Sequence, residues 1–472
     1  MAELSDCRLS DFVILGPAKP LICNDFVISV DFGQIVDLGA LDPAELDLFR
    51  RLLMRVRQHL VAHAMQPIER LELGAAELLG ERLDTAAAIA RWTAAALGAP
   101  ATIEPHLDRR AALDGADHVI SMIRVGGHEG LRLDFEIPGR HGVRQTMADT
   151  MGIGSIFRAL CTIPALLGLA RDLHEVAPGA WLYNYTNPMA ALVWAIYAGT
   201  AHQRVVGVCM SPENTAEQLA ELLDVPFGEI TYLAGGINHQ SWILRLEHGG
   251  QDLYPRLRQI VQDDPDGLGR RVRVEMFKRF GYFPTESSEH SADLVPWFLP
   301  HEDQVRRFRI PVNEYLHRSD RNLGSYAEIR RKLKAGEPLE LERGPEYAPQ
   351  IIHSIETGTQ RMIYGNVRNG GSIDNLPDDC CTEVPCLVDR AGVQPTRVGS
   401  LPPQLAALNR LYLNVCELTV RAALEERRDL VYQAALLDPN TAATLSIDEI
   451  IRVCDELIDA HGELIPAGIR GG

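Results

Sequence analysis

The chain has 472 residues, 46% of them hydrophobic and 23% charged, with a formal net charge of -18 at pH 7. That length can bury a large core and predicts two or three lobes, and the composition is that of an ordinary globular enzyme. So acidic a surface repels phosphate backbones and argues against nucleic acid as a partner. No apolar run reads as approaching the roughly 18 to 20 residues that span a bilayer, so no membrane is expected. The first residues, Met1-Ala2-Glu3-Leu4-Ser5-Asp6, lack the basic and apolar regions of a secretory signal. Nine cysteines in such a chain predict reduced thiols and a cytoplasmic setting.

Phe12-Val13-Ile14-Leu15-Gly16 is a short apolar run ending in glycine, the usual start of a nucleotide-binding strand–turn–helix unit. The turn that follows, Gly16-Pro17-Ala18-Lys19-Pro20, lacks a second glycine, and its prolines remove amide donors that a pyrophosphate would use. Residues 43–65 read as a helix with Leu46, Phe49, Leu52, Leu53, Val56 and Leu60 on one face. Leu71–Leu83 is read as containing the second strand, with Glu77 as a candidate acid for a ribose hydroxyl and Asp42 as another. A helix follows over Asp84–Leu97. Ser121–Gly127 reads as a buried strand closing on Val125-Gly126-Gly127. This alternation predicts an α/β fold with a Rossmann-like, doubly wound parallel sheet.

Trp181–Asn184 leads to Asn187-Pro188, and a helix spans Met189–Tyr197. The carboxyl ends of strands line the ligand crevice in such a sheet, so Asn187 is a candidate for sugar or nicotinamide. Arg204–Val208 reads as a strand that delivers Cys209. An amphipathic helix carries Ala216, Leu219, Leu222 and Leu223, and a further strand delivers Gly235-Gly236-Ile237-Asn238-His239. A thiol and an imidazole at the ends of two neighbouring strands can share one divalent ion. Further ionisable groups stand at Asp149-Thr150 and at Glu286, His290 and Asp293. Gly127-His128-Glu129 reads as a loop, and Cys380, Cys381 and Cys386 fit no standard zinc spacing. Glu337–Pro349 reads as a surface loop and Arg318–Lys334 as a solvated basic helix. Leu401–Glu425 and Leu445–His461 read as long amphipathic helices.

In order, the words GADHVI, VGG, IPGRHGVRQTMADTMGIG, RALCTIP, NYTNPMA, GVCMS, GGINH and GYFPTESSEH resemble the family 4 glycoside hydrolases. The Thr285–His290 run is most similar to that family's α-galactosidase and α-galacturonidase/α-glucuronidase branch. The resemblance covers roughly residues 70 to 465. It implies a Rossmann-like NAD-binding domain over 1–210, atypical over 17–65. It implies an α+β substrate and metal-binding domain over 211–472, like the C-terminal part of lactate and malate dehydrogenases.

The activity implied is hydrolysis of an α-hexoside, galactoside or hexuronide, by oxidation, elimination and addition. NAD⁺ takes a hydride from the sugar C3, a base removes the acidified C2 proton, and a divalent metal, typically Mn²⁺, stabilises the enediolate. By resemblance the metal ligands are Cys209 and His239, and Asn187 binds sugar, with Asp293 as a further substrate residue. Gly16, Glu77, Val125 and Gly126 are the cofactor contacts. Asp149, Tyr282, Glu286 and His290 are the candidates for catalysis. The family also implies a homo-oligomer, dimer or tetramer.

Several residues depart from the family pattern. Met210 follows Cys209 where an ionisable group is usual, and a thioether cannot act as a general acid. Cys161 stands where an arginine is common. A uronate would need a cation at its carboxylate, for which Arg124, Arg140 and Arg144 are candidates. Two other functions fit parts of the chain, an NAD-dependent 2-hydroxyacid dehydrogenase and a degenerate, cofactor-poor sugar-binding or assembly paralogue.

Overall fold

A computed structural model describes residues 27–31, 59–62, 73–97, 101–264, 271–340 and 346–471. Gly16, its turn and Asp42 lie outside the described residues. Among those described, the strands in chain order are β1 (Val27–Asp31), β2 (His59–Ala62), β3 (Thr102–His106), β4 (His118–Ser121), β5 (Trp181–Asn184) and β6 (Val205–Val208). They continue with β7 (Ile230–Ile237), β8 (Gln240–His248), β9 (Gln251–Asp252), β10 (Phe283–Pro284), β11 (Arg361–Arg368), β12 (Cys381–Asp389) and β13 (Gly392–Pro395). All of them join one sheet, ordered β10-β8-β7-β12-β11-β6-β5-β4-β2-β1-β3, with β13 beside β12 and β9 beside β8.

The sheet has two characters. β2, β4, β5 and β6 run parallel, which is the doubly wound part. β5 and β6 are almost wholly buried, as strands covered by helices on both faces must be. From β6 outward through β11, β12, β7, β8 and β10, every pairing is antiparallel. β11 and β12 therefore lie between β6 and β7, so Cys209 and His239 do not follow neighbouring strands as expected.

The helices expected over 189–197, 401–425 and 445–461 form as Met189–Gly199, Pro403–Glu425 and Ile447–His461. The basic helix forms as Glu314–Ala335. Five expectations differ from the structure. Leu73–Ala96 is a single helix, so Glu77 lies in a helix and not in a second strand. The stretch 71–83 is rich in Ala, Leu and Glu and has no β-branched residue, which favours the helix. His59–Ala62 is a strand and not a helix end, because pairing with β1 and β4 outweighs local preference. Gly127-His128-Glu129 opens the Gly127–Arg140 helix, entered through Gly126 at φ 77°, where glycine is at ease. The β4 strand thus stops at Ser121, well before Val125. Tyr347 begins a helix to Thr357, which shortens the surface loop expected there.

The Ile153–Val176 helix is long and apolar enough to cross a membrane, which the sequence reading overlooked. Its most apolar stretch is 89% buried inside the protein, as for a core helix packed against the sheet.

Candidate functional site

Most site residues stand just past the end of a strand or in the loop before a helix, and His290 lies within the Ser288–Asp293 helix. Asn187 follows β5, and Cys209 follows β6. Asn238 and His239 form the two-residue turn between β7 and β8. Asp149 and Thr150 precede the Ile153–Val176 helix. Glu286 sits between β10 and the Ser288–Asp293 helix, at φ 67°.

A buried carboxylate fixes the His239 turn. Glu383, fully buried in β12, accepts from Asn238 Nδ2 at 3.0 Å, Ser241 Oγ at 2.6 Å and Asn366 Nδ2 at 3.1 Å. Tyr412 donates its hydroxyl to the Asn238 carbonyl at 2.8 Å. Three donors stabilise a charge that burial alone would disfavour. Burial still prevails over them and raises the Glu383 carboxyl above its ordinary value.

A chain of contacts leads from the turn to the catalytic candidates. His239 Nδ1 lies 2.6 Å from Thr150 Oγ1, and Thr150 donates to Asp149 Oδ1 at 2.9 Å. Asp149 Oδ2 accepts from Asn187 Nδ2 at 2.9 Å. His290 Nε2 lies 3.1 Å from Asp149 Oδ1, and His290 Nδ1 lies 3.1 Å from Ser287 Oγ and 3.4 Å from Glu286 Oε1. The His239 and His290 rings meet edge-on, with centroids 4.4 Å apart. Asn187 Oδ1 is buried without a partner and is free to accept from a ligand hydroxyl.

The charges sort themselves by neighbourhood. Burial pushes His239 down to about 4, helped by His290. Burial also opposes the charge on His290, but Asp149 and Glu286 outweigh it and push that imidazole up to about 9. Burial would raise Asp149, yet His290 and His239 hold it well below the usual carboxylate range. Glu286 likewise falls below its ordinary value, because His290 and His239 outweigh its burial. Burial, with the charges of Glu286 and Glu383, raises the Cys209 thiol well above its ordinary value. A neutral imidazole, a high-pKa thiol and a carboxylate fit a divalent cation, which would reverse the thiol's shift. Cys209, His239 and Glu286 each offer an atom within 4.8 Å of the others, as do Asp149, His239 and His290.

Not every expected residue faces this cluster. Asp293 has its carboxylate closed by the 146–148 loop: Thr146 N at 2.9 Å, Thr146 Oγ1 at 2.6 Å, Met147 N at 2.8 Å and Ala148 N at 3.0 Å. It clasps the loop that leads into Asp149. Tyr282 packs edge-on against Tyr254, with centroids 5.9 Å apart. Val125 is buried and Gly126 caps the Gly127–Arg140 helix, which starts beyond the carboxyl end of β4, the place where a doubly wound sheet receives a dinucleotide. Of the candidate uronate cations, Arg140 lies 3.7 Å from Glu136 and Arg144 lies 2.7 Å from Glu302. Arg124 is buried, 3.2 Å from Asp134. The buried thiols Cys380, Cys381 and Cys386 join neither convergent ligand group among the described residues.

Sequence reasoning missed Arg158 and Tyr315. The Tyr315 ring lies 5.5 Å from the Arg124 guanidinium and 5.4 Å from that of Arg158. Burial opposes ionisation of this phenol, but Arg158 and Arg124 lower it below its ordinary value. Arg124 Nη1 and Arg158 Nε and Nη1 are buried without hydrogen-bond partners. A basic residue on an apolar helix was the available signal for Arg158; Tyr315 had none. Thr150 was noted beside Asp149, but its link to His239 was not legible.

The family 4 glycosyl hydrolase sequence model matches residues 54–225, and the family 4 glycosyl hydrolase C-terminal domain matches residues 234–441. An α-galactosidase of Bacillus subtilis is 40% identical over 368 residues, 77% of this chain and 85% of that protein. An α-galactosidase of Rhizobium meliloti is 34% identical over 382 residues, 78% of this chain and 77% of that protein. Among solved structures, a putative glucosidase from Bacillus subtilis superposes with a TM-score of 0.68 at 25% identity, over 74% of this chain and 84% of that one. A 6-phospho-α-glucosidase from gut microorganisms, solved with NAD and glucose-6-phosphate, gives a TM-score of 0.71 at 22% identity, over 82% and 90%. With both halves of the family pattern matched in order along one chain, this protein belongs to the family 4 glycosyl hydrolases and is a glycosidase.

Proposed function

We propose that the protein hydrolyses α-galactosides or α-hexuronides with the help of NAD and a divalent metal such as Mn²⁺. The observation that supports this most is the 40% identity to the Bacillus subtilis α-galactosidase, spread over 85% of that protein. When bound, the two groups supply hydride acceptance at a sugar carbon and stabilisation of charge on neighbouring oxygens.

Cys209 and His239 would hold the metal. Asn187, with Oδ1 unpartnered, would take a sugar hydroxyl. Asp149 would orient Asn187 through its Oδ2 and His290 through its Oδ1. His290 is the proton-transfer group on hand in this arrangement, a part that the Met210 thioether cannot play. Glu286 would stand on the other side of His290. We assign Asp293 to positioning the loop before Asp149, and Tyr282 to packing beneath the site. Val125, Gly126 and the start of the Gly127–Arg140 helix would face the dinucleotide, with Gly16 completing its contacts. Residues 1–210 would then serve the cofactor and 211–472 the sugar and metal. We also propose a homo-oligomer and a cytoplasmic setting, which free thiols favour.

Calorimetric titration of the reduced protein with NAD⁺ in the presence of Mn²⁺ tests this reading. Binding is expected, with turnover of an α-galactoside or α-galacturonide only when both are present. Solvent deuterium is expected at C2 of the released sugar. No binding at millimolar NAD⁺, or full turnover after chelation and removal of cofactor, would overturn it.

A further inference from the structure

We propose that Glu286 is a third protein ligand to the metal that Cys209 and His239 hold. The inference rests on the metal reading above and adds a residue to it. Two groups of side chains converge closely enough to share an ion: Cys209, His239 and Glu286, and Asp149, His239 and His290. Hydrogen bonding decides between them.

The first argument concerns which nitrogen of His239 is free. Thr150 donates its only hydroxyl proton to Asp149 Oδ1 at 2.9 Å. Its oxygen can then only accept from His239 Nδ1, 2.6 Å away. The Nδ1 atom therefore carries the ring proton, and Nε2 carries the lone pair. Nε2 faces Glu286 Oε2 at 3.9 Å. That separation is too long for a hydrogen bond. It leaves both atoms within reach of one shared ion.

The second argument concerns which carboxylate is spare. Asp149 uses Oδ1 for Thr150 and His290, and Oδ2 for Asn187. It has the bonding pattern of an outer partner that orients a metal-ligating histidine. Glu286 turns Oε1 to the Ser287 amide at 3.1 Å and toward His290 Nδ1 at 3.4 Å. Among the described residues its Oε2 faces the Nε2 of His239, and a ligand atom of Cys209 lies within 4.8 Å. Glu286 holds φ 67°, which a residue other than glycine keeps only where its surroundings fix it.

A sulfur, a nitrogen and an oxygen make a mixed donor set. It suits the borderline ions Fe²⁺, Co²⁺ and Zn²⁺ better than Ca²⁺, and holds the harder Mn²⁺ less tightly than those three. With three protein ligands the ion is held before any sugar arrives, and the remaining positions stay open for sugar oxygens.

Electron paramagnetic resonance of free Mn²⁺ gives the test, on the reduced full chain without NAD or sugar. The wild type should take up Mn²⁺ stoichiometrically. Glu286→Gln should weaken binding by about 100-fold, the upper end of what loss of an outer partner costs. Glu286→Asp, one methylene shorter, should weaken it less. With Co²⁺ in place of Mn²⁺, the thiolate-to-cobalt absorption of Cys209 should persist in both variants while the ligand-field bands change. Circular dichroism checks folding, and Glu286→Asp decides the matter if Glu286→Gln does not fold. Wild-type affinity within twofold in the folded variants, with unchanged cobalt bands, overturns the role of Glu286 and leaves the two-ligand site intact. Failure of the wild type to bind Mn²⁺ at all overturns the metal reading and this inference together.

Discussion

Thr150 joins the two halves of the site, donating to Asp149 and accepting from His239. Thr150→Val keeps the β-branched shape and removes both bonds. Loss of such an outer partner costs about 10–100-fold in metal affinity. Calorimetry with Mn²⁺ should show a loss in that range; affinity equal to wild type would mean the bond does not orient His239. At this scale the sequence was a good guide to identity and a poor one to role. Cys209, His239 and Asn187 were singled out at strand ends, and Asp149, Glu286 and His290 as ionisable groups within short motifs; the structure brings them together. Asp293 carried the same signal, yet its oxygens are closed by the 146–148 loop. Glu383 carried none, because its bond to Asn238 spans 145 residues of chain. A residue's type survives in sequence; the partner that occupies its atoms does not.

The element that most constrains the site is the β7–β8 hairpin. Gly236 lies at φ 155°, and a Cβ there would come within 2.7 Å of the Gln240 carbonyl oxygen and of Ser241 Cα. Gly236→Ala should force the turn apart, with a cost of about 1–3 kcal/mol. Urea unfolding should show that loss, together with weaker Mn²⁺ binding; an unshifted midpoint would show that the turn adapts. A second element carries a pH dependence away from the site. His202, between the Met189–Gly199 helix and β6, is buried with Nε2 unpartnered, and burial pushes it down to about 4. Between its ordinary value of 6.5 and about 4, the unfolded chain binds a proton that the folded chain refuses. Stability is thus unaffected by this residue above pH 6.5 and falls as pH drops through that window. The shift corresponds to roughly 3 kcal/mol at most. His202→Gln should flatten the melting-temperature profile between pH 6.5 and 4, and an unchanged slope there would assign the dependence to other groups. Helices with clear apolar stripes, such as Ile447–His461, were legible in sequence. Leu73–Ala96 and β2 were not, because one lacks a clean stripe and the other owes its form to its neighbours.

Across the molecule, one sheet joins the parallel and antiparallel parts through the β6–β11 pairing. That pairing is close: a Cβ at Gly207 would come within 2.7 Å of Met189 and 2.8 Å of Asn366. A division of labour near residue 210 therefore does not imply two bodies that fold apart. Expressed alone, residues 211–472 should lack a cooperative thermal transition, since β11 would keep β12 but lose β6 and become an open, apolar sheet edge; a sharp calorimetric peak from that fragment would refute the point. Two-lobed organisation was expected from length and motif order, but how the lobes join lies in strand order, which local patterns do not encode. The same architecture sets how the protein ages in air. Of the described cysteines, Cys161, Cys380, Cys381, Cys386, Cys416 and Cys454 are buried, and Cys209 alone reaches the crevice. Without a cation its thiol holds its proton and reacts slowly with oxidants. In the proposed holoenzyme it would be a thiolate whose lone pairs are engaged. Both states thus shield this sulfur from oxidants, the ion-free protein by its retained proton and the proposed holoenzyme by the bound ion.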